Sequence, residues 1–200
     1  MAIKVAINGF GRIGRCTLRA IYEQGLQNEF DVVAINAAGD LKTNSHLLKY
    51  DTTHGRFRTS VETEGENCII IDGKKIAFYS TKNPKDINWA DHGVDIVLEC
   101  TGAYTSKAKA QPLLEQGAKR VLISAPGGDD VDATIVYGVN EGILKPGMTV
   151  VSNASCTTNC LAPVAKILSD SVGIKQGLMT TIHAYTNDQN TLDAPHAKGD

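Results

Sequence analysis

Three glycines at positions 9, 11 and 14 constrain the fold most, because they lie between a strand-like run and a helical pattern. Residues 3–7 form a β-branched run, and apolar residues from Ile13 onward recur at helical spacing until Gly25. In a G-x-G-x-x-G turn the first glycine permits a tight turn and the second lets the backbone approach a pyrophosphate, while the third lets the helix pack on the strand. The helix N-terminus also offers N–H groups to an anion. The pattern predicts a dinucleotide-binding turn; the plainer interpretation is a structural glycine turn.

Further apolar runs predict a parallel sheet around this unit. Strands are expected over residues 30–35, 94–99 and 120–124, and helices over 43–50 and 106–116. The dipeptide Asp72-Gly73 separates two short apolar runs and predicts an antiparallel hairpin. We therefore expect an α/β fold with a Rossmann-type doubly wound parallel sheet in residues 1–151, followed by the start of an α+β domain in residues 152–200.

The second region contains a helix pattern and a strand pattern. A helix is expected within residues 152–170, with Ser155 as its N-cap, and a strand over residues 177–185. Pro163 interrupts the helical pattern, so this helix is expected to restart there, and Pro112 should kink or divide the earlier helix over residues 106–116.

Composition and charge exclude several classes of function. The net charge is −2, from 20 basic and 22 acidic residues, so no polybasic surface indicates nucleic acid or an anionic membrane as a partner. The longest apolar runs fall far short of the ~18 residues that suggest a membrane-spanning helix. The N-terminal residues do not resemble a secretory signal, and five scattered cysteines argue against a disulfide framework. We expect a cytoplasmic protein that binds a small molecule.

Cys156 and His183 are the candidate catalytic pair. In the first turn of a helix that begins after Ser155, the helix dipole would stabilise the Cys156 thiolate. Strand alternation places His183 on one face, from which it could accept the thiol proton. Two other interpretations stay open on spacing alone: Cys156 is a small buried apolar residue, or Cys156, Cys160 and His183 bind zinc. The zinc set lacks a clear fourth ligand, and no metal is expected.

The residue that normally selects NAD is missing. A dinucleotide fold of this type places an acidic residue at the end of the second strand, where it hydrogen-bonds the adenosine ribose. Ala37 follows Asn36 at that point. Either Asn36 and backbone groups hold NAD, or the absent carboxylate permits NADP, with contacts from residues 42–44. The cofactor is therefore expected to be NAD or NADP.

Four blocks of the chain resemble the phosphorylating glyceraldehyde-3-phosphate dehydrogenase family: residues 6–15, 49–51, 152–163 and 181–189. The resemblance implies that Cys156 attacks the aldehyde of glyceraldehyde 3-phosphate, and that His183 takes the proton. Inorganic phosphate then releases 1,3-bisphosphoglycerate from a thioester, a step of glycolysis and gluconeogenesis. Ser155 and Thr157 would bind the attacking phosphate, and Thr186 the substrate phosphate. The expected cofactor-binding residues are Asn8, Gly9, Gly11, Arg12, Ile13, Gly14, Asn36, Lys82, Thr101 and Ser124.

The resemblance leaves two alternatives and implies an assembly. Erythrose-4-phosphate dehydrogenase shares the cysteine block, although Ala184-Tyr185-Thr186 is more similar to the glyceraldehyde enzyme. A chain that ends at Asp200 would lack much of the catalytic domain, so a non-catalytic nucleotide-binding fragment is the other alternative. The resemblance also implies a homotetramer, with residues 188–200 near a neighbouring subunit's cofactor site.

Overall fold

The first strand, Ile3–Asn8, lies inside a mostly parallel sheet, and the first helix, Arg12–Glu23, follows it through the glycine turn. The computed structural model describes residues 2–186. The helices are α1 (Arg12–Glu23), α2 (Leu41–Lys49), α3 (Lys107–Glu115) and α4 (Cys156–Val172). The strands are β1 (Ile3–Asn8), β2 (Phe30–Asn36), β3 (Tyr50–Asp51), β4 (Gly55–Arg56), β5 (Val61–Glu64), β6 (Cys68–Ile71), β7 (Lys74–Tyr79), β8 (Ile96–Glu99), β9 (Arg120–Ile123), β10 (Ala133–Thr134) and β11 (Val150–Ser152).

The strand order of the large sheet places a crevice beside β1. Within the described residues, nine strands follow the order β10-β11-β9-β8-β1-β2-β7-β6-β5, and the first seven of these are mutually parallel. The chain leaves β1 toward β2 on one side and later returns to β8 on the other side. Ligands of such sheets bind at the carboxyl ends of the strands where the order reverses. The strand order therefore predicts a ligand site at the carboxyl ends of β1, β2 and β8.

Alternate residues of β1 supply two hydrophobic cores, one on each face of the sheet. Val5 and Ile7 pack with Leu18 of α1 and Leu48 of α2. Ala6 belongs to the other core, which contains Ala110 and Leu113 of α3. A strand buried on both faces needs apolar residues at consecutive positions, which is why residues 5–7, the buried part of β1, are Val, Ala and Ile. The doubly wound sheet expected from the sequence is confirmed.

The antiparallel hairpin predicted at Asp72-Gly73 is also confirmed. β6 pairs with β7 around Asp72 and Gly73, which have φ of 52° and 76°. Positive φ at both central residues is the requirement of a type I′ hairpin turn, and Asp-Gly satisfies it at low cost. The hairpin extends the sheet beyond β2, because β7 pairs in parallel with β2.

Two expectations about local structure are wrong, and a third is wrong in part. Helix α4 does not restart at Pro163, and Pro112 does not divide α3. In α3, Ala110 and Leu113 are fully buried, and this packing offsets the backbone hydrogen bond that proline removes. The strand expected over residues 177–185 is absent from the described structure, where this segment is exposed and carries no regular secondary structure. An alternating pattern becomes a strand only when a neighbouring strand pairs with it.

The chain divides into two units, residues 1–166 and 167–200. The first contains the nine-stranded sheet, a two-stranded sheet of β3 and β4, helices α1 to α3 and the start of α4. The described part of the second contains the end of α4 and an irregular, exposed segment. The domain boundary expected after residue 151 stays a prediction. No helix among the described residues has the length and apolar character that a membrane span requires.

Candidate active site

The three glycines of the turn differ in how much space surrounds them. A Cβ on Gly9, where φ is +99°, would lie 2.6 Å from the carbonyl carbon of Cys100 and from the backbone nitrogen of Thr101. A Cβ on Gly14 would lie 2.2 Å from the Gly9 carbonyl oxygen. A Cβ on Gly11, by contrast, would meet no described atom within 4 Å. Gly9 and Gly14 are thus required for packing, whereas Gly11 leaves open the space that an incoming pyrophosphate would use.

A buried polar network fixes the strand ends below this turn. The Asn8 side chain donates to the Glu99 carboxylate at 2.5 Å and accepts from the Asn36 side chain at 2.8 Å. Glu99 also accepts from the backbone N–H of Thr101 at 2.7 Å and from the Thr101 hydroxyl. Asn36 in turn donates to the Thr81 carbonyl and accepts from the Thr81 N–H. These contacts hold the carboxyl ends of β1, β2 and β8 in fixed positions.

Burial changes the acidity of two groups near the turn. It raises the pKa of Glu99, against the hydrogen bonds from Thr101 and Asn8 that lower it. It also raises the pKa of the Cys100 thiol to about 11. A thiol of such low acidity is a poor nucleophile at neutral pH. Burial therefore disfavours Cys100 as a nucleophile.

A cleft of about 460 Å³ opens above the network. Its volume lies in the range of small-molecule and cofactor sites. The lining combines the strand ends, the segments that follow β2 and β7, and the loop after β8: Asn8, Gly9, Asn36, Ala37, Ala38, Gly39, Ser80, Thr81, Lys82, Thr101, Ala103 and Tyr104. Five of the ten expected cofactor-binding residues line this one cleft: Asn8, Gly9, Asn36, Lys82 and Thr101.

Arg12 and Ile13 lie at the exposed start of α1. The Arg12 guanidinium pairs with the carboxylate of Asp51 in β3. Backbone N–H groups of His54 and Thr53 and the Arg12 guanidinium lower the pKa of Asp51 to about 2. Within the described structure no side chain caps the N-terminus of α1, whose preceding residue is Gly11. The first-turn N–H groups of α1 thus face the opening at Gly11.

Cys156 is an exposed residue in the first turn of α4. The Ser155 hydroxyl accepts a hydrogen bond of 2.9 Å from the backbone N–H of Thr158, as an N-cap does. The Asn159 side chain donates to the carbonyls of Asn153 at 2.6 Å and Ser155 at 2.9 Å. These bonds fix the segment that precedes the cysteine, and they confirm the expected helix start.

Ala154 has a conformation that the sequence did not predict. Its φ is +59°, in the left-handed region that non-glycine residues rarely adopt. Its side chain is buried, and its N–H donates to the Ser152 hydroxyl, which donates to the Ala125 carbonyl. Such strain persists where the surroundings enforce it, and it is frequent at functional sites. The backbone reversal at Ala154 directs the chain from β11 into α4.

The remaining expected site residues lie in different parts of the structure. Ser124 follows β9, and its N–H donates to the Glu99 carbonyl at 2.9 Å. Thr157 is half-buried in the first turn of α4. His183 and Thr186 are exposed residues of the second unit, whereas Cys156 belongs to the first. The pairing of His183 with Cys156 stays a prediction. The segment expected near a neighbouring subunit, residues 188–200, lies outside the described residues.

Sequence reasoning missed Glu99 as a component of the site. The only signal was a carboxylate at the end of an apolar strand, and such a residue is almost never fully buried unless it is paired. Its partner Asn8 is 91 positions away along the chain. Only the parallel pairing of β1 with β8 brings the two side chains together.

The residues present fit a dinucleotide. The open space at Gly11, the uncapped α1 N-terminus and the adjoining cleft match the requirements of a pyrophosphate-binding turn. In residues 2–186 no group of three or more His, Cys, Asp or Glu side chains is placed to hold a metal ion.

The fold and the turn define a dinucleotide-binding α/β protein. Residues 3–107, more than half of the chain, match the NAD binding domain of glyceraldehyde 3-phosphate dehydrogenase, and residues 155–200 match its C-terminal domain. The chain belongs to the glyceraldehyde 3-phosphate dehydrogenase family. The match to an NAD binding domain supports the expected dinucleotide cofactor.

Curated relatives carry the same family name. The chain is 56% identical over 196 residues to the plasmid glyceraldehyde-3-phosphate dehydrogenase of Cupriavidus necator, and 55% identical over 196 residues to that of Pseudomonas aeruginosa. It is 54% identical over 198 residues to the enzyme of Clostridium pasteurianum. Each match covers 98% of this chain and 58% of the relative. The chain thus spans a little over half the length of the curated relatives it matches.

Proposed function

We propose that the protein oxidises glyceraldehyde 3-phosphate with NAD or NADP and phosphorylates the product to 1,3-bisphosphoglycerate. One observation carries this proposal: an exposed cysteine at a capped helix start, in a chain of this family that also has a dinucleotide turn. Membership alone does not identify the nucleophile, whereas exposure and helix position favour Cys156 over the half-buried Cys100.

The first step in this proposal is attack of Cys156 on the aldehyde carbon. The thiol gives its proton to His183, the sulfur forms a bond to the carbon, and the carbonyl oxygen becomes an alkoxide. The N-terminus of α4 stabilises negative charge on the sulfur through its aligned peptide dipoles. The backbone N–H of Cys156 and the protonated His183 stabilise the alkoxide.

Oxidation and phosphate transfer complete the reaction. A nicotinamide ring bound in the cleft would supply the hydride acceptor. As the carbon–hydrogen bond of the hemithioacetal breaks with its electron pair, the oxygen forms the carbonyl of a thioester with Cys156. Inorganic phosphate, held by Ser155 and Thr157, then attacks this carbonyl, and the carbon–sulfur bond breaks to return the thiolate. Covalent catalysis of this kind keeps the energy of the oxidation in the thioester.

The remaining residues bind and orient the reactants. Arg12, Ile13 and Gly11 would hold the pyrophosphate at the start of α1, and Thr186 the substrate phosphate. Asn8, Asn36 and Glu99 would keep the strand ends in place, because each is buried and hydrogen-bonded to its neighbours. We further propose a homotetramer in the cytoplasm, in keeping with the resemblance of the sequence blocks to the family.

Replacement of the nucleophile tests this proposal in the full-length protein. Cys156→Ser should reduce phosphate-dependent dinucleotide reduction with glyceraldehyde 3-phosphate by roughly 10⁴-fold or more, because loss of a nucleophile removes the covalent route. Cys160→Ser is the matched control, since Cys160 is a second exposed cysteine one turn further along α4. Its turnover should stay within about threefold of the parent enzyme, as surface substitutions usually have small effects.

Two results would contradict the proposal. Retained turnover in Cys156→Ser would show that Cys156 is not the nucleophile. A higher kcat/KM for erythrose 4-phosphate than for glyceraldehyde 3-phosphate in the unaltered enzyme would assign a different substrate.

A further inference from the structure

The side chain of Asn159, the fourth residue of α4, reaches back to the segment that precedes Cys156. Its amide nitrogen donates to the Asn153 carbonyl at 2.6 Å and to the Ser155 carbonyl at 2.9 Å. A carboxamide carries two N–H donors, so one side chain can hold both carbonyls. These two hydrogen bonds form what we call the Asn159 clamp, which joins α4 to residues 153–155.

The two carbonyls belong to the neighbours of a strained residue. Ala154, between them, has a φ of +59°, a left-handed conformation that is unfavourable for a residue with a Cβ. Such a conformation persists only where its surroundings enforce it. On the β11 side, the buried Ser152 hydroxyl accepts from the Ala154 N–H at 3.0 Å. On the α4 side, the Asn159 clamp holds the residues before and after Ala154.

One of the clamped carbonyls shares a peptide group with the N–H of Cys156. Because a peptide group is planar and trans, the direction of the Ser155 carbonyl sets the direction of the Cys156 N–H. In the proposed mechanism this N–H stabilises the alkoxide, and such a donor is effective when it is aimed at the oxygen in advance. The backbone N–H of Asn159 donates to the same carbonyl at 2.9 Å, so its main chain and side chain hold this peptide together.

Helix α4 has an N-cap that does not involve Asn159. The Thr158 N–H donates to the Ser155 hydroxyl at 2.9 Å, and that hydroxyl also pairs with the Thr158 hydroxyl at 2.7 Å. An N-cap of this kind satisfies a free N–H group at the helix start. The helix therefore has its cap without the clamp, and the clamp acts on the backbone between β11 and Cys156.

We propose that Asn159 is a positioning residue for the covalent step: its clamp holds residues 153–155 so that the sulfur and the N–H of Cys156 face the same aldehyde group. This inference rests on the proposed function and adds to it a residue that acts through Cys156. The strain at Ala154 is kept by the clamp because it gives the nucleophile its direction.

Asn159→Ala in the full-length protein removes the clamp. The kcat of phosphate-dependent dinucleotide reduction should fall about 10- to 100-fold, because displacements of about 1 Å in reacting groups have effects of this size. The KM for glyceraldehyde 3-phosphate should stay within about threefold, since the lost interaction is expressed only in the transition state. Dinucleotide affinity should change less than about twofold, because the described residues that line the cleft lie within residues 8–104.

The matched control is Asn153→Ala. It makes the same chemical change at an exposed side chain of the same segment, and the backbone carbonyl that the clamp holds is retained. Its kcat should stay within about threefold of the unaltered enzyme.

Alkylation of Cys156 by iodoacetamide, located by mass spectrometry, gives a readout without substrate. The N–H groups at the start of α4 stabilise the thiolate only while they face the sulfur. In Asn159→Ala, the pH at which alkylation reaches half its maximal rate should therefore rise by about half a unit. A residue that merely stabilised the helix would lower the unfolding temperature and leave this midpoint unchanged, and Asn153→Ala should also leave it unchanged.

A glycine at position 154 provides a rescue experiment. Glycine adopts positive φ readily, so the conformation no longer needs to be enforced. Ala154→Gly combined with Asn159→Ala should have a kcat about fivefold above that of Asn159→Ala. Ala154→Gly alone should change kcat less than about threefold, since the clamp already holds the segment.

The outcomes separate this inference from the proposed function. If Asn159→Ala keeps the kcat and the alkylation midpoint of the unaltered enzyme, or if the double variant is no faster than Asn159→Ala, the inference is wrong and the proposed function stands. If Cys156→Ser retains turnover, the proposed function itself fails. Should Asn159→Ala not fold, Asn159→Ser takes its place with the same expected results, because its side chain is too short to hold both carbonyls.

Discussion

The cofactor cleft and the cysteine segment are built in different ways. The cleft stands on side chains from β1, β2 and β8 that are almost completely buried, with Asn8 and Glu99 each 1% exposed and Asn36 6% exposed. Helix α4, which carries Cys156, has no buried residue in the described structure, and Val164 and Ile167 are 52% and 64% exposed. One region is fixed by tertiary packing, while the other is fixed by local hydrogen bonds among residues 153–159.

Because the two regions are held by different contacts, dinucleotide binding and the proposed covalent step at Cys156 should depend on different residues. The described residues that line the cleft all lie within residues 8–104, so dinucleotide affinity should depend on the packing of the sheet. The position of Cys156 depends on a cap and a strained residue of its own segment. Substitutions in the two regions should therefore change different measured quantities.

The largest effects are expected in the glycine turn. Gly9→Ala places a Cβ 2.6 Å from the backbone of Cys100 at a φ of +99°, so it should destabilise the fold by about 2–4 kcal/mol and abolish dinucleotide binding. Gly11→Ala has open space around its Cβ and should change the free energy of unfolding by less than about 1 kcal/mol. It should nevertheless weaken dinucleotide binding more than tenfold, because the methyl group occupies the path of the pyrophosphate.

Thermal unfolding and dinucleotide titration of both variants check this pair. The proposed difference between the two glycines is wrong if Gly9→Ala has the same unfolding temperature as the unaltered protein. It is also wrong if Gly11→Ala binds the dinucleotide as tightly as the unaltered protein.

A smaller effect, with a defined pH dependence, is expected at the edge of the sheet. The Asp132 carboxylate accepts from the N–H groups of Thr149 at 2.8 Å and Val150 at 3.0 Å and from the Lys107 ammonium group. The Lys107 hydrogen bond first, and then those of the backbone, hold the pKa of Asp132 well below its ordinary 3.8. Since the folded pKa is lowered, the stabilisation is present above pH 3.8 and is lost as the pH falls through the folded value.

Asp132→Asn should therefore lower the free energy of unfolding at neutral pH by about 1.5–3 kcal/mol. The difference from the parent should shrink as the pH falls below the ordinary pKa of an aspartate. Denaturant titrations at several pH values measure this difference in the free energy of unfolding. The control is Asp129→Asn, at a neighbouring exposed aspartate, which should lower the free energy of unfolding by less than about 0.5 kcal/mol at every pH tested. A constant difference at all pH values would show that Asp132 acts through its shape and not through its charge.

The sequence predicted the elements whose signals are local. The glycine turn, the Asp72-Gly73 hairpin and the Ser155 cap each depend on residues within a few positions of one another, and all three are present. The strand expected over residues 177–185 is absent from the described structure, because a strand depends on a partner that its own pattern does not specify.

The polar network and the backbone strain could not be read from the sequence. Glu99 and Asn8 meet only through sheet pairing, over a separation of 91 residues. The positive φ of Ala154 arises because tertiary contacts of Ser152 and Ala125 override the preference of alanine. Local motifs therefore indicated the residues that we propose to contact ligands, while the buried residues that hold them in place became visible only in the fold.

The central claim, that covalent chemistry takes place at Cys156, is tested most directly by trapping the acyl group. The full-length protein is mixed with glyceraldehyde 3-phosphate and dinucleotide without inorganic phosphate, quenched in acid, and analysed by tandem mass spectrometry. We expect one burst of dinucleotide reduction per subunit and an acyl group on Cys156, which added phosphate removes. An acyl group on Cys160, or dinucleotide reduction without any acyl-protein, would contradict it.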